Sequence, residues 1–255
     1  MSRTRDMTKG NITKQMLMFS LPLLNGDSTI DITSALESGS YLNMTVKALA
    51  DFGVRISRTD EHTIFIKGNQ VYKSRELEVE GDCSNAAFLQ ALDFIGGKVT
   101  VEGISENTLQ GDRVYNKIFA SLENGIREFD LSDCPDLAPI LFAVSAVKGG
   151  AAFTGTARLK IKESDRSEAM AQELKKLGIE VEVGENHVRI GSSPLKSPTE
   201  ALCGHNDHRI VMALAVLCTL VGGEIEGAEA VAKSYPDFFE VIKKLKIGLE
   251  IYEDR

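Results

Sequence analysis

Four charged side chains occupy six positions at Ile161–Arg166, IKESDR, and their types suit a site for an anionic small molecule. Lys162 and Arg166 can grip a phosphate or carboxylate, while Glu163 and Asp165 can accept or return a proton. Similar chemistry recurs at Asp136 in PDLAPILFAV, at Asn206, Asp207, His208 and Arg209 ahead of IVMALAV, and at Lys233 ahead of SYPDFFEVI. Each stretch lies where a helix is expected to start. A cation there sits at the positive end of the helix dipole, a misplacement of a few tenths of a kcal/mol or more. A bound anion turns that cost into a gain. Arg166, Arg209 and Lys233 at equivalent repeat positions therefore point to one shared anion site.

Plainer roles compete for some of these residues. Asp165 with Glu168, and Asp237 with Glu240, have the spacing of a capping box. A single basic residue at a helix start is ordinarily solvated surface. His205 and His208 form an HxxH pair, but only Asp207 stands close enough in sequence to join them, and it reads as a cap; no metal is expected. The glycine pairs in IGGKV, KGGAA and VGGEI follow helices instead of opening them, so they stop helices and do not cradle phosphate. Neither G-x-S-x-G nor a Walker pattern occurs.

The elements that must position these residues come in repeats. Mostly apolar helices, each followed by a strand-like run, end at Gly26, Gly97, Gly150 and Gly223. Amphipathic helices, again followed by strand-like runs, end at Gly53, Gly125, Gly178 and Gly248. The offsets from first to second kind are 27, 28, 28 and 25 residues, which implies four copies of a βαβαββ-like unit. Apolar helices should lie inside and amphipathic ones should cover them, a layered α/β architecture. In the first copy the apolar helix follows MSRTRDMTKGNITK almost at once, leaving little room for a leading strand. Its basic front and apolar stretch resemble a leader, but no A-x-A-like cleavage site follows and the repeat explains it better. A boundary is expected near ELEVEGDCSN.

Composition narrows the classes. The 255 residues carry 29 Lys and Arg against 37 Asp and Glu, a formal charge of -8. That argues against a general nucleic-acid binder and against an anionic membrane surface. The apolar run IVMALAVLCTLVGG is shorter than the roughly 20 residues a bilayer requires. Four cysteines without CxxC spacing read as a reduced, cytoplasmic protein.

Taken together, DLSDCPDLAPILFA, FTGTARLKIKESDR, HNDHRIVMALAV and AVAKSYPDFFE, with VEGDCSNAAFLQAL and LQGDRVYNKI, resemble the 3-phosphoshikimate 1-carboxyvinyltransferase (EPSP synthase) family. The likeness runs from about residue 10 to the end. It implies the enolpyruvyl transferase fold, an inverse α/β barrel of repeated βαβαββ units. About four units are present: 1–79 would be one unit of an amino-terminal domain, and 80–255 the three-unit carboxy-terminal domain, lacking one strand. The implied reaction moves the enolpyruvyl group of phosphoenolpyruvate to the 5-hydroxyl of shikimate 3-phosphate, in the route to aromatic amino acids, without cofactor or metal.

By the same resemblance, Asp136 is the general base at the 5-hydroxyl, and Glu163 exchanges a proton at the phosphoenolpyruvate methylene. Arg166, Arg209 and Lys233 hold phosphoenolpyruvate with His208 beside them, and Lys162 reaches the shikimate phosphate. Ser38 and Tyr41 match substrate-binding positions, as does Gln15; Thr13 substitutes for a serine, Lys14 departs from the pattern, and Gly39 stands where a basic residue is usual. The family's amino-terminal lysine and arginine residues and its Asn-Ala-Gly-Thr loop have no counterpart. The expectation is an incomplete chain, inactive alone, whose partner is a complementary amino-terminal half. The alternatives are a non-catalytic fragment with weak anion binding and a transferase for UDP-N-acetylglucosamine.

Overall fold

A computed structural model of the chain describes residues 3–7, 11–33, 39–60, 62–125 and 127–252, with backbone alone for 3–7 and 11–14. The first run of elements is β1 (Arg3–Met7), α1 (Asn11–Ser20), β2 (Ser28–Ile32), α2 (Gly39–Asp51), β3 (Ile56–Arg58) and β4 (Thr63–Ile66). Its strands pair in the order β1-β2-β4-β3, with β1 parallel to β2 and the other pairs antiparallel. The expected shortage of room for a leading strand is thus corrected: Arg3–Met7 pairs with β2 over its whole length, Ser28 to Ile32.

Next come α3 (Cys83–Phe94) and α4 (Tyr115–Glu123). The strand-like KVTVEG after α3 forms no strand, a second correction: Val99 N donates to the Asp93 carboxylate, and Gly81 N to Gly103 O ties the run to the segment before α3. Then follow β5 (Glu128–Asp130), α5 (Ala138–Val147) entered through a 3-10 turn at Pro135–Leu137, β6 (Ala151–Thr154), α6 (Arg166–Lys176), β7 (Val181–Val183) and β8 (His187–Ile190). This sheet has the order β5-β6-β8-β7, the topology of the first. The last run is β9 (Leu202–Cys203), α7 (His208–Val221), β10 (Ile225–Glu226) and α8 (Phe238–Lys244), with β9 and β10 parallel. Among the described residues the βαβαββ unit is therefore present twice in full, and GLEIY after α8 forms no strand.

Helix ends explain the glycine register. Gly53, Gly125 and Gly178 stand two residues beyond α2, α4 and α6 with φ of 84°, 84° and 83°, a left-handed conformation costly for residues with a Cβ. At α8 the same position is Lys246, φ 62°, and not the expected Gly248, because the helix ends at Lys244. After α3 the left-handed residue is Gly96 in place of Gly97. The capping box at Asp237 is also corrected: its φ and ψ of -88° and 9° are not the extended backbone of a cap, its side chain makes no cap bond, and Glu240 pairs with Lys243.

The chain divides into two compact units, Met1–Glu80 with Ser105–Gly111, and Gly81–Ile104 with Asp112–Arg255. The first has a small core of Met18, Leu21, Ile30, Ile32, Leu42, Leu49, Val54, Ile64 and Ile66. Its apolar helix is not interior: Met16 and Phe19 of α1 are exposed, as are Leu23 and Leu24. In the second unit the expected layering holds. Helices α3, α5 and α7 pack on one another, and Ala138–Ala146 of α5 is buried throughout. Helix α5 also seats Phe142 against Phe153 of β6, ring centroids 5.0 Å apart. Among the described residues no helix is long and apolar enough to cross a membrane.

Candidate active site

Apolar sequence carries α3, α5 and α7 into the core of the second unit, and their polar first turns converge with that of α6 through side-chain bonds. Arg166, the first residue of α6 and only 1% exposed, is the hub. Its Nε donates to Asp207 Oδ2 at 2.9 Å, Nη1 to Asp136 Oδ1 at 2.7 Å, and Nη2 to Glu163 Oε2 at 2.6 Å. Asp136 sits in the 3-10 turn leading into α5, and Asp207 caps α7 by accepting from Arg209 N. Lys162 Nζ lies 3.1 Å from Asp136 Oδ1. Arg209 Nη2 lies 3.5 Å from Asp136 Oδ2 and donates to Ser84 Oγ in the first turn of α3.

Lys233 reaches this ring from its edge. It ends a 3-10 helix, Ala228–Lys233, five residues before α8, so it does not open a helix as Arg166 and Arg209 nearly do. Its Nζ donates to the backbone oxygen and to Oδ1 of Asn206, next to Asp207. Lys162, Arg166 and Arg209 thus stand against Asp136, Glu163 and Asp207 in a polar cluster buried around Arg166 and Asp207, and exposed Lys233 at its edge gives a four-to-three excess of cations.

The electrostatics follow from that crowding. Burial opposes ionisation of Asp136, but the charges of Arg209, Lys162 and Arg166 outweigh it and hold the carboxyl far below its ordinary 3.8. Asp207 is likewise penalised by burial and brought down, chiefly by its hydrogen bond to Arg166. Burial, then the neighbouring Arg209, lower the pKa of His208 below 6.5, favouring its neutral form. His208 Nδ1 is buried without a hydrogen bond, 4.0 Å from Asp207 Oδ1.

Asp165 caps α6, accepting from Glu168 N. Within the first unit, Gln15 Nε2 donates to Tyr41 O at 3.4 Å, joining α1 to α2. Thr13 lies in α1, of which only the backbone is described there, and Ser38 lies outside the described residues. No group of three or more His, Cys, Asp or Glu placed to hold a metal occurs among the described residues. The HxxH pair is split, with His205 turned to Glu173 and His208 beside Asp207.

The family model for EPSP synthase (3-phosphoshikimate 1-carboxyvinyltransferase) matches residues 10–242. The chain belongs to the EPSP synthase family. It is similar to the 3-phosphoshikimate 1-carboxyvinyltransferase of Clostridium acetobutylicum, 42% identical over 96% of this chain and 61% of the relative. That of Clostridioides difficile is 40% identical over 93% of this chain and 59% of its own. The chain therefore spans about three fifths of the length of these curated relatives. Among solved structures it is similar to EPSP synthase from Acinetobacter baumannii, with TM-score 0.83 and 21% identity over 99% of this chain and 64% of that one. The enolpyruvyl transferase NikO from Streptomyces tendae gives TM-score 0.67 at 17% identity, over 96% and 64%. Both likenesses establish the EPSP synthase and enolpyruvyl transferase fold.

Some residues of this cluster escape a reading by type. Asp207 reads as a cap, yet it also fixes Arg166 and accepts from Ser164 Oγ. Ser84 bonds Arg209, and Asn85 Nδ2 donates to Ser234 O beside Lys233. The signal for Ser84 and Asn85 was the polar start of VEGDCSNAAFLQAL, where a hydroxyl and an amide follow the capping Asp82.

Proposed function

We propose that this chain carries the anion-gripping and proton-transferring groups of an enolpyruvyl transferase acting on phosphoenolpyruvate and shikimate 3-phosphate. The observation that carries this reading is the convergence of Lys162, Arg166 and Arg209 on Asp136 and Glu163 at joined helix N-termini. Residues 1–79 act as one repeat unit and 80–255 as the three-unit domain, a reading supported by the break between Glu80 and Gly81, with Ser105–Gly111 grouped apart from the rest of the second stretch. A cytoplasmic location belongs to the same reading, supported by cysteines that form no disulfide among the described residues.

The chemistry is an addition followed by an elimination. Asp136 takes the proton of the 5-hydroxyl as that oxygen bonds to C2 of phosphoenolpyruvate, and Glu163 delivers a proton to the methylene carbon. Removing that proton again re-forms the double bond as the C2–phosphate bond breaks, so the hydroxyl hydrogen leaves, in net, with phosphate. Arg209, Lys233 and Arg166 stabilise the carboxylate and the departing phosphate, with His208 beside them, and Lys162 takes the shikimate phosphate. Gln15, Thr13, Ser38 and Tyr41 are the substrate-binding groups of the first unit.

The ring of cations also sets the timing of the base. While Lys162, Arg166 and Arg209 surround Asp136, their charges favour its ionised form and weaken it as a base. Substrate anions that draw Lys162 and Arg209 to themselves raise the basicity of Asp136 when a hydroxyl is present to use it. Calorimetric titration with each substrate tests the reading. Phosphoenolpyruvate is expected to bind, and Arg209→Ala to weaken it by roughly tenfold or more, the loss of about one charge-assisted bond. No binding of either substrate to the parent chain overturns it.

A further inference from the structure

The segment that delivers Asp207, His208 and Arg209 is held along its length by one stripe of α6. Arg166 and Glu173 are seven residues apart, two turns of helix, so they share a face. Arg166 takes Asp207, at the far end of the segment. Glu173, 1% exposed, takes the near end: Oε2 accepts from Cys203 N at 2.9 Å and Oε1 meets His205 Nε2 at 2.8 Å. One turn on, Lys176 Nζ sits 3.0 Å from Glu173 and donates to Ala201 O at 3.1 Å. Glu173 already accepts from Cys203 N and pairs with Lys176 Nζ, so in its contact with His205 it serves as acceptor and Nε2 as donor.

Between these anchors the backbone is strained. His205 and Asn206 are consecutive residues in the left-handed region, φ 50° and 52°, without glycine's freedom. Such a conformation persists only where its surroundings over-determine it. Its product is visible: it turns both oxygens of Asn206 to Lys233 Nζ, and it lets Asp207 N bond Gly204 O while Asp207 Oδ1 receives Arg209 N.

We propose that Glu173 and His205 form a latch that holds the turn Cys203–Asp207 in this conformation and so sets the positions of Lys233, Arg166 and Arg209. Neither residue touches substrate; both are positioning residues. The inference rests on the reading of the site given above for its link to ligand, though not for the latch itself.

The test compares His205→Ala with His205→Gln in the full chain. Alanine removes the donor while Glu173 keeps Cys203 N and Lys176, so no buried charge is stranded; the glutamine amide can still donate. Two quantities are read: phosphoenolpyruvate affinity by calorimetry, and amide hydrogen exchange at Asp207 and Arg209 by NMR. His205→Ala is expected to lower affinity and speed both amides by roughly tenfold, and His205→Gln to restore both to within about threefold of the parent. Unchanged exchange in His205→Ala overturns the latch, whatever the affinity. Faster exchange with unchanged affinity overturns its effect on the cations, and glutamine behaving like alanine overturns the hydrogen bond as the cause. If the parent binds no phosphoenolpyruvate, the functional reading fails by itself, and the exchange arm still decides the latch.

Discussion

Arg166 illustrates how a residue can look like a ligand-binding cation in sequence and also be a structural centre. Its charge is matched inside the protein by Asp136, Glu163 and Asp207. Breaking a buried pair strands the remaining charge, so Asp207→Asn should lower unfolding free energy by about 3–5 kcal/mol, read from urea denaturation. The acid limb of stability follows from the same residues. His208 has a folded pKa below its unfolded 6.5, so the unfolded chain binds the proton first and stability declines as pH falls below 6.5. Asp136 and Asp207 have folded pKa values below 3.8, so their contribution is full above that value and is lost as pH falls through the lower folded values. Urea midpoints from pH 8 to 3 should therefore decline in two stages, and His208→Phe should remove the first.

Helix ends show which parts of the structure were legible in the sequence. Glycines two residues past α2, α4 and α6 are left-handed stops, and their spacing marks the repeat in the sequence. Gly178→Ala should destabilise by about 1–2 kcal/mol, because its φ of 83° disfavours a Cβ and Lys196 would stand 3.0 Å from that carbon. Lys246→Gly should change stability in the opposite direction, by up to about 1 kcal/mol, since relief of left-handed strain exceeds the entropy glycine adds to the unfolded chain. Thermal unfolding of the two variants checks the pair. What could not be read has a common cause. Asp237 has the spacing of a cap but not its backbone, and KVTVEG has strand-forming residues but finds a carboxylate instead of a neighbouring strand. Period and composition record what a segment prefers; they do not record which partner tertiary structure brings to it. Glu173 and His205 were hidden for that reason: a buried glutamate inside ELKKLG and a histidine paired by eye with His208 become one contact only when α6 crosses the turn before α7.

At the scale of the whole chain, the two units differ in how much apolar surface protects their hydrogen bonds. The second has α5 buried nearly throughout and α7 buried from His208 to Leu214, whereas the first relies on a small group around Ile30, Leu49 and Ile64 and leaves Met16 and Phe19 of α1 exposed. Slow opening tracks such burial. Hydrogen–deuterium exchange should therefore find the most protected amides in α5 and α7 and distinctly faster exchange in α2 and β4. Equal protection across the two units would contradict the burial pattern.

The two complete sheets have one more property in common. Each draws all four of its strands from a single uninterrupted stretch, residues 3–66 for one and 128–190 for the other. Among the described residues, neither takes a strand from a distant part of the polypeptide. A nascent chain leaving the ribosome can finish the first sheet before the residues of the second have been translated, which spares it the exposed, half-paired edges on which newly made β proteins aggregate.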